Sequence, residues 1–222
     1  MNLNSQNPVA TAATAIKGGK FTFKGVQDVP TNTYIAYKIQ DPQARKYANF
    51  FLENGTMTAF LGEESNYVKG TPNNDAFEQY KEEIKAMTDK IEAVEEKLKD
   101  ESLTEEQQKN IEDQIDGLMD EYYEVFERTI DKNITNPVGV SVLKSFYYQM
   151  DADKLAAALD QIPAELMEGD ETLARIKEVV AKQLATAPGQ KFTDFAMKTP
   201  DDKDIKLSDY AGKGKIVLDR KS

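Results

Sequence analysis

The chain has 222 residues, 40% hydrophobic and 30% charged, room for one or two domains with filled cores. It contains no Cys, His or Trp, so disulfides, thiolate nucleophiles, sulfur-ligated metals and a Ser-His-Asp triad are closed to this polypeptide acting alone. The net charge of −11 argues against nucleic acid or an anionic membrane as partner. No apolar run approaches the ~18–20 residues of a membrane span.

The first residues, Met1 to Asn4, show neither the basic nor the apolar region of a targeting peptide. From Lys20 to Lys69 the pattern predicts short antiparallel strands, part of a β-sandwich-like domain over residues 1–70. Phe21-Thr22-Phe23 and Tyr34 to Ile39 alternate with period 2 and are rich in aromatic and β-branched residues. Asn54-Gly55, between Tyr47–Glu53 and Thr56–Leu61, predicts a two-residue hairpin, because a type I′ turn needs positive φ at both central positions. Val68-Lys69 forms a further strand, and the Ala/Thr-rich stretch Val9–Ile16 is expected to pair with this region.

At Thr71-Pro72 the periodicity changes, with Pro placed to open a helix. Phe77, Tyr80, Ile84, Met87, Ile91, Val94 and Leu98 recur at spacings of three and four, the register of an amphipathic helix. Thr104 to Gln107 fits a capping box, and a second heptad run follows through Ile111, Ile115, Leu118, Tyr122, Val125 and Thr129. The reading is an antiparallel helical hairpin over 73–133, each arm roughly 35–40 Å long at 1.5 Å per residue. This segment carries 20 acidic and 8 basic residues, essentially the whole charge excess of the chain.

Further helices are expected over 136–186, completing a helical region 71–187. Asn136-Pro137 opens one that is apolar on most sides, from Val138 to Met150. Asp151 caps a shorter Ala/Leu helix ending near Ile162-Pro163, and Asp170 caps a last one with Leu173, Ile176, Val179, Val180 and Leu184 on one face. Ala187-Pro188-Gly189 reads as a linker. Beyond it come a strand from Phe192 to Met197, a turn at Pro200–Lys203, a returning strand Asp204–Leu207, a loop or helical turn at Ser208–Gly212, and an apolar strand Lys215–Leu218 of the buried parallel kind. The fold class is therefore α+β.

The segment Pro188 to Leu218 resembles the opening of the thioredoxin-like domain of bacterial envelope thiol-disulfide oxidoreductases of the AhpC/TSA and TlpA-like kind. The resemblance rests on Gly189, Phe192, Phe195, Asp201, Lys203, Leu207, Ser208, Asp209, Gly212 and Lys215, with Asp202 where that family has Gly. Upstream, Gly18–Val26, Phe50–Phe60 and Val68–Phe77 resemble the uncharacterised N-terminal β-domain that precedes such domains in Bacteroidetes. The resemblance implies a cell-envelope or periplasmic setting. It also implies an incomplete thioredoxin-like stub over 188–222, since the sequence stops before the Trp-Cys-x-x-Cys site and lacks the family's cis-Pro. The expectation is a family member truncated at its C-terminus and clipped at its front, with no catalytic, cofactor-binding or metal residue to carry over and no cofactor.

The expected role is that of a non-catalytic fragment serving as scaffold or interaction part, with an unknown protein or peptide partner and possible homo-oligomers through exposed strand edges, Lys215–Leu218 above all. The alternative is a peptide- or small-ligand-binding module of the envelope. Sharper chemistry fares worse. Glu92 and Glu96 share a helix face but lack the apolar pocket that acid/base work needs. Asp201 to Asp204 lacks the Gly and Glu of a calcium loop, and Gly212 to Lys215 lacks the phosphate-loop pattern. Tyr34, Tyr37, Tyr147 and Tyr148 are expected to pack in core and sheet rather than form a ligand cage.

Overall fold

The computed structural model describes residues 12–38, 41, 43–190 and 194–210, and the chain is of mixed α+β type. Strand β1 (Thr31–Tyr37) pairs antiparallel with β2 (Lys46–Leu52), from Thr31↔Leu52 to Tyr37↔Lys46. Strand β3 (Thr58–Leu61) pairs antiparallel with β4 (Asn66–Lys69), from Thr58↔Lys69 to Leu61↔Asn66. The two ladders lie close together, β2 beside β4, without a shared ladder.

Two expectations fail here. Phe21-Thr22-Phe23 is not a strand: among the described residues it joins no ladder, and the pairing nearby is one bridge, Lys17↔Lys20, across Gly18 and Gly19 at φ +57° and +74°. Nor does Asn54-Gly55 join a hairpin, since β2 and β3 belong to different pairs. The Asn54 side chain is engaged elsewhere, accepting from Gln27 N at 3.0 Å and donating to Gln27 O at 2.7 Å. Gly55 sits at φ +145°, far from a type I′ turn, and a Cβ there would come within 2.6 Å of Thr71 Cγ2.

The helices follow the sequence periodicity closely. They are α1 (Pro72–Glu95), α2 (Glu105–Asn133), α3 (Pro137–Phe146), α4 (Ala152–Leu159), a single turn α5 (Ala164–Met167) that the pattern did not announce, and α6 (Glu171–Ala185). A 3-10 turn, Glu96–Lys99, ends α1. Thr104 closes its capping box, taking Gln107 N and giving its own N–H to the Gln107 side chain. Asn136 caps α3, and Asp170 caps α6 by accepting from Thr172 N and Leu173 N at 3.0 Å each. Asp151 occupies the N-cap position of α4, but its side chain bonds no backbone N–H there.

α3 is the central helix, as its all-round apolarity requires. Val138, Val142 and Leu143 are fully buried, and Val142 and Leu143 join Ile130, Leu155, Leu173 and Ile176 in a continuous helical core. Each such side chain removed from water contributes ~1.5–3 kcal/mol. Phe51, Phe77 and Val138 form a second, smaller cluster that ties β2 to α1 and α3. Met87, Ile91 and Ile111 are buried in the α1–α2 seam yet belong to neither cluster. Distal to Tyr80 and Tyr123 the hairpin is therefore a two-helix arm.

After a turn at Thr186–Gln190, β5 (Ala196–Lys198) pairs antiparallel with β6 (Asp204–Lys206), and a 3-10 turn follows at Leu207–Asp209. Asp202 holds the left-handed conformation at φ +59°, which glycine favours and aspartate tolerates. The expected positions Val9–Thr11, Phe192 and Lys215–Leu218 lie outside the described residues, and Ala12–Ile16 forms no strand. Among the described residues no helix is long and apolar enough to cross a membrane.

Candidate functional site: a polar joint and an aromatic, acidic arm

The first two turns of α1 behave as a substitute strand. Asn74, 1% exposed, accepts from Phe51 N and donates to Phe51 O, both at 2.8 Å. Phe51 therefore turns its backbone groups away from β1, and an asparagine side chain completes the pairing that a neighbouring strand would supply. Its amide also donates to Thr71 Oγ1 at 2.8 Å, which is why Thr71 opens the helix without capping it by its side chain. One turn on, the buried Glu78 accepts from Val68 N at 2.8 Å and from Lys81 Nζ at 2.7 Å. Lys81 also reaches Asn49 O and lies 5.0 Å above the Phe77 ring. Asn74 and Glu78, spaced i and i+4 on one helix face, thus clamp β2 and β4 to the same helix.

From this joint a row of aromatic rings runs into the helical layer. Phe51 meets Phe77 at 5.2 Å, Phe77 stacks on Tyr80 at 6.1 Å, Tyr80 meets Phe126 edge-on at 5.7 Å, and Phe126 stacks on Phe146 at 4.5 Å. Burial, with Tyr122 beside it, pushes the Tyr80 hydroxyl up to about 12. Ion pairs brace the helices around this row. Arg128 of α2 reaches Glu83 of α1, and that hydrogen bond, with one from Gln79, holds the Glu83 carboxyl below its ordinary value. Lys154 of α4 pairs with Glu127 at 2.9 Å, and Lys144 of α3 pairs with Asp170. Burial would raise the Asp170 carboxyl, but Lys144 and the N–H groups of Leu173 and Thr172 together hold it low.

Two depressions on the helices are too small or too open to enclose a small molecule. A cleft of about 40 Å³ between α1 and α2 is lined by Gln79, Glu83, Arg128 and Lys132, and a shallow, open hollow of about 370 Å³ at the arm's tip by Leu103, Gln107 and Ile111. Glu92 and Glu96 stand exposed on the arm, with Glu96 paired to Lys99. Asp202 pairs with Lys198 at 2.7 Å instead of turning to a shared centre with its acidic neighbours. Among the described residues no group of three His, Cys, Asp or Glu side chains converges on a metal position.

The tyrosines divide. Tyr34 and Tyr147 are half-buried as expected, but Tyr37 is 40% and Tyr148 70% exposed. Tyr148 corrects the packing expectation: it sits on the 3-10 turn Tyr147–Gln149 that ends α3, where the change of pitch turns it outward. The joint residues Asn74 and Glu78 escaped the sequence reading because a polar side chain in the first turns of an amphipathic helix looks like a solvated one.

Comparison with known proteins adds one match: a family model described as a domain of unknown function (DUF4369) covers residues 1–77, the β-region and the opening of α1. No curated protein and no solved structure matches the chain.

Proposed function

We propose that the chain is the accessory, non-catalytic portion of a thioredoxin-like thiol-disulfide oxidoreductase of the bacterial cell envelope. Residues 1–70 form its sandwich-like β-domain, 71–187 its helical region and 188–222 the start of a thioredoxin-like domain. It works by contact, as scaffold or interaction part, and not by electron transfer. The observation that carries this reading is the joint at Asn74 and Glu78, which fixes a projecting helical arm to a β-region by buried hydrogen bonds. Such a joint serves to hold and present. Further support comes from the β5–β6 strand–turn–strand, with Asp202 where the resembling family has Gly and with Ser208 clasped to Asp194 by two bonds of 2.8 Å. Electron exchange through sulfur needs an ionisable thiol, and this sequence has only thioethers.

The test is dithiothreitol-driven reduction of insulin, followed by turbidity, with and without the purified chain. The reading expects identical time courses; a rate that grows with the concentration of chain contradicts it. The alternative reading, a peptide- or small-ligand-binding module of the envelope, draws on one observation, the exposed Tyr148 on the turn that ends α3.

A further inference from the structure

Between Glu112 and Glu127 helix α2 carries seven carboxylates and no basic residue. Glu112, Asp113, Asp116, Asp120, Glu121 and Glu124 are all exposed, and among the described residues only Glu127 of the seven has an ion-pair partner, Lys154. Amphipathic helices of ordinary composition alternate the two signs along their solvated face. This stretch does not, so its potential is uncompensated over about four turns.

Within the same stretch lie Tyr122 and Tyr123, in edge contact at 5.9 Å, and Tyr122 also meets Phe126 at 5.1 Å. Tyr147 and Tyr148, in edge contact at 5.9 Å, approach from the end of α3. Tyr123 meets the Phe146 ring at 5.7 Å, which brings the end of α3, and with it the Tyr147–Tyr148 pair, up to this part of α2. Tyr123 and Tyr147 are anchored on the helical core, so the cluster is held in place from beneath. Four tyrosines from two elements, Tyr148 exposed and the other three half-buried, thus make a firm aromatic surface beside a band of carboxylates. Rigid tyrosines give large contact area at low entropic cost and are enriched at the energetic centres of protein interfaces.

Charge selects the occupant. A second copy of this face would bring two uncompensated acidic bands together, whereas a cationic segment relieves the field, and guanidinium groups both pair with carboxylates and stack on tyrosine rings. We propose that Tyr122, Tyr123, Tyr147 and Tyr148, with the carboxylates Asp120, Glu121 and Glu124, form the docking surface for an arginine-bearing, partly apolar peptide segment of another protein. This rests on the contact role proposed above and names its partner chemistry.

The experiment is fluorescence anisotropy of labelled twelve-residue peptides titrated with the full chain: one alternating Arg and Leu, one alternating Arg and Ser at equal charge, one alternating Glu and Leu. The Arg/Leu peptide is expected to bind at least about tenfold more tightly than the Arg/Ser peptide, and the Glu/Leu peptide not to bind. Tyr148→Ala, at an exposed position, should weaken Arg/Leu binding about tenfold without moving the melting temperature. The triple variant Asp120→Asn, Glu121→Gln, Glu124→Gln should weaken it similarly and flatten its dependence on salt. Equal binding of the two Arg peptides, indifference to Tyr148→Ala, absence of binding, or a dimer in sedimentation that Tyr148→Ala dissociates would each overturn the proposal. Insulin turnover tests the contact role on a separate readout, so failure of peptide docking and failure of the contact role are told apart.

Discussion

Asn74 is the residue on which the β-region and the helices most depend. Its amide satisfies both backbone groups of Phe51 and the Thr71 hydroxyl inside a site closed to water. Asn74→Ala leaves a buried N–H and C=O without partners, and each such group costs ~1–3 kcal/mol. Chemical unfolding of that variant should show a loss of about 2–4 kcal/mol, with no change expected in the helical arm's far-ultraviolet signal below the transition. Gly117 is the opposite case. A Cβ there meets nothing within 4 Å, so its place in α2 only lowers helix stability. Gly117→Ala should raise stability by ~0.5–1 kcal/mol, visible as a higher melting temperature. Two titrating groups tie stability to pH at opposite ends of the range. The folded Tyr80 hydroxyl at about 12 lies above its ordinary 10.0, so the stability it contributes is complete below that lower value and is lost as pH rises from there through about 12. The Asp170 carboxyl is depressed below its ordinary 3.8, so its contribution is present above that value and is lost as pH falls further. Melting curves against pH should fall at both ends; Tyr80→Phe should flatten the alkaline limb and Asp170→Asn the acid limb.

At the scale of elements, the helical hairpin was legible in the sequence and the strand pairing was not. Seven apolar positions in heptad register from Phe77 to Leu98 are all buried or half-buried, because a 3.6-residue period sums over many turns into one face. The capping box at Thr104 and the caps at Asn136 and Asp170 were legible too, since each needs only neighbours in sequence. Strand pairing is chosen by distant partners. Asn54-Gly55 carries a strong local turn signal, yet Asn54 reaches Gln27, 27 residues away, and β3 pairs forward with β4. The joint was invisible for the same reason, as nothing local distinguishes Asn74 and Glu78 from solvated helix residues. Tyr148 is exposed because the residues after Phe146 wind as a 3-10 turn, which the aromatic character of the Tyr147-Tyr148 pair does not announce. At the C-terminal end the returning strand from Asp204 lies where its alternation puts it, whereas the first strand begins only at Ala196 and runs to Lys198, later than the Phe192–Met197 pattern suggests.

At the scale of the whole molecule, the account needs the β-region and the helical layer to move as one body, since a part that works by contact must hold its arm in a fixed direction. Three observations support that unity: the clamps from Asn74 to β2 and Glu78 to β4, the Phe51–Phe77–Val138 cluster, and Asn32 of β1 donating to Ser141 Oγ of α3 at 3.0 Å. The most direct measurement is native-state hydrogen exchange at the Phe51 and Val68 amides, the two donors that the helix α1 takes from the strands. The account predicts that both exchange only through global unfolding, with the same free energy and denaturant dependence as the Leu143 amide at the centre of α3. Exchange of Phe51 and Val68 through a separate, lower-energy opening, while Leu143 stays protected, would show the joint loose and would contradict the claim that this chain presents its arm from a fixed base.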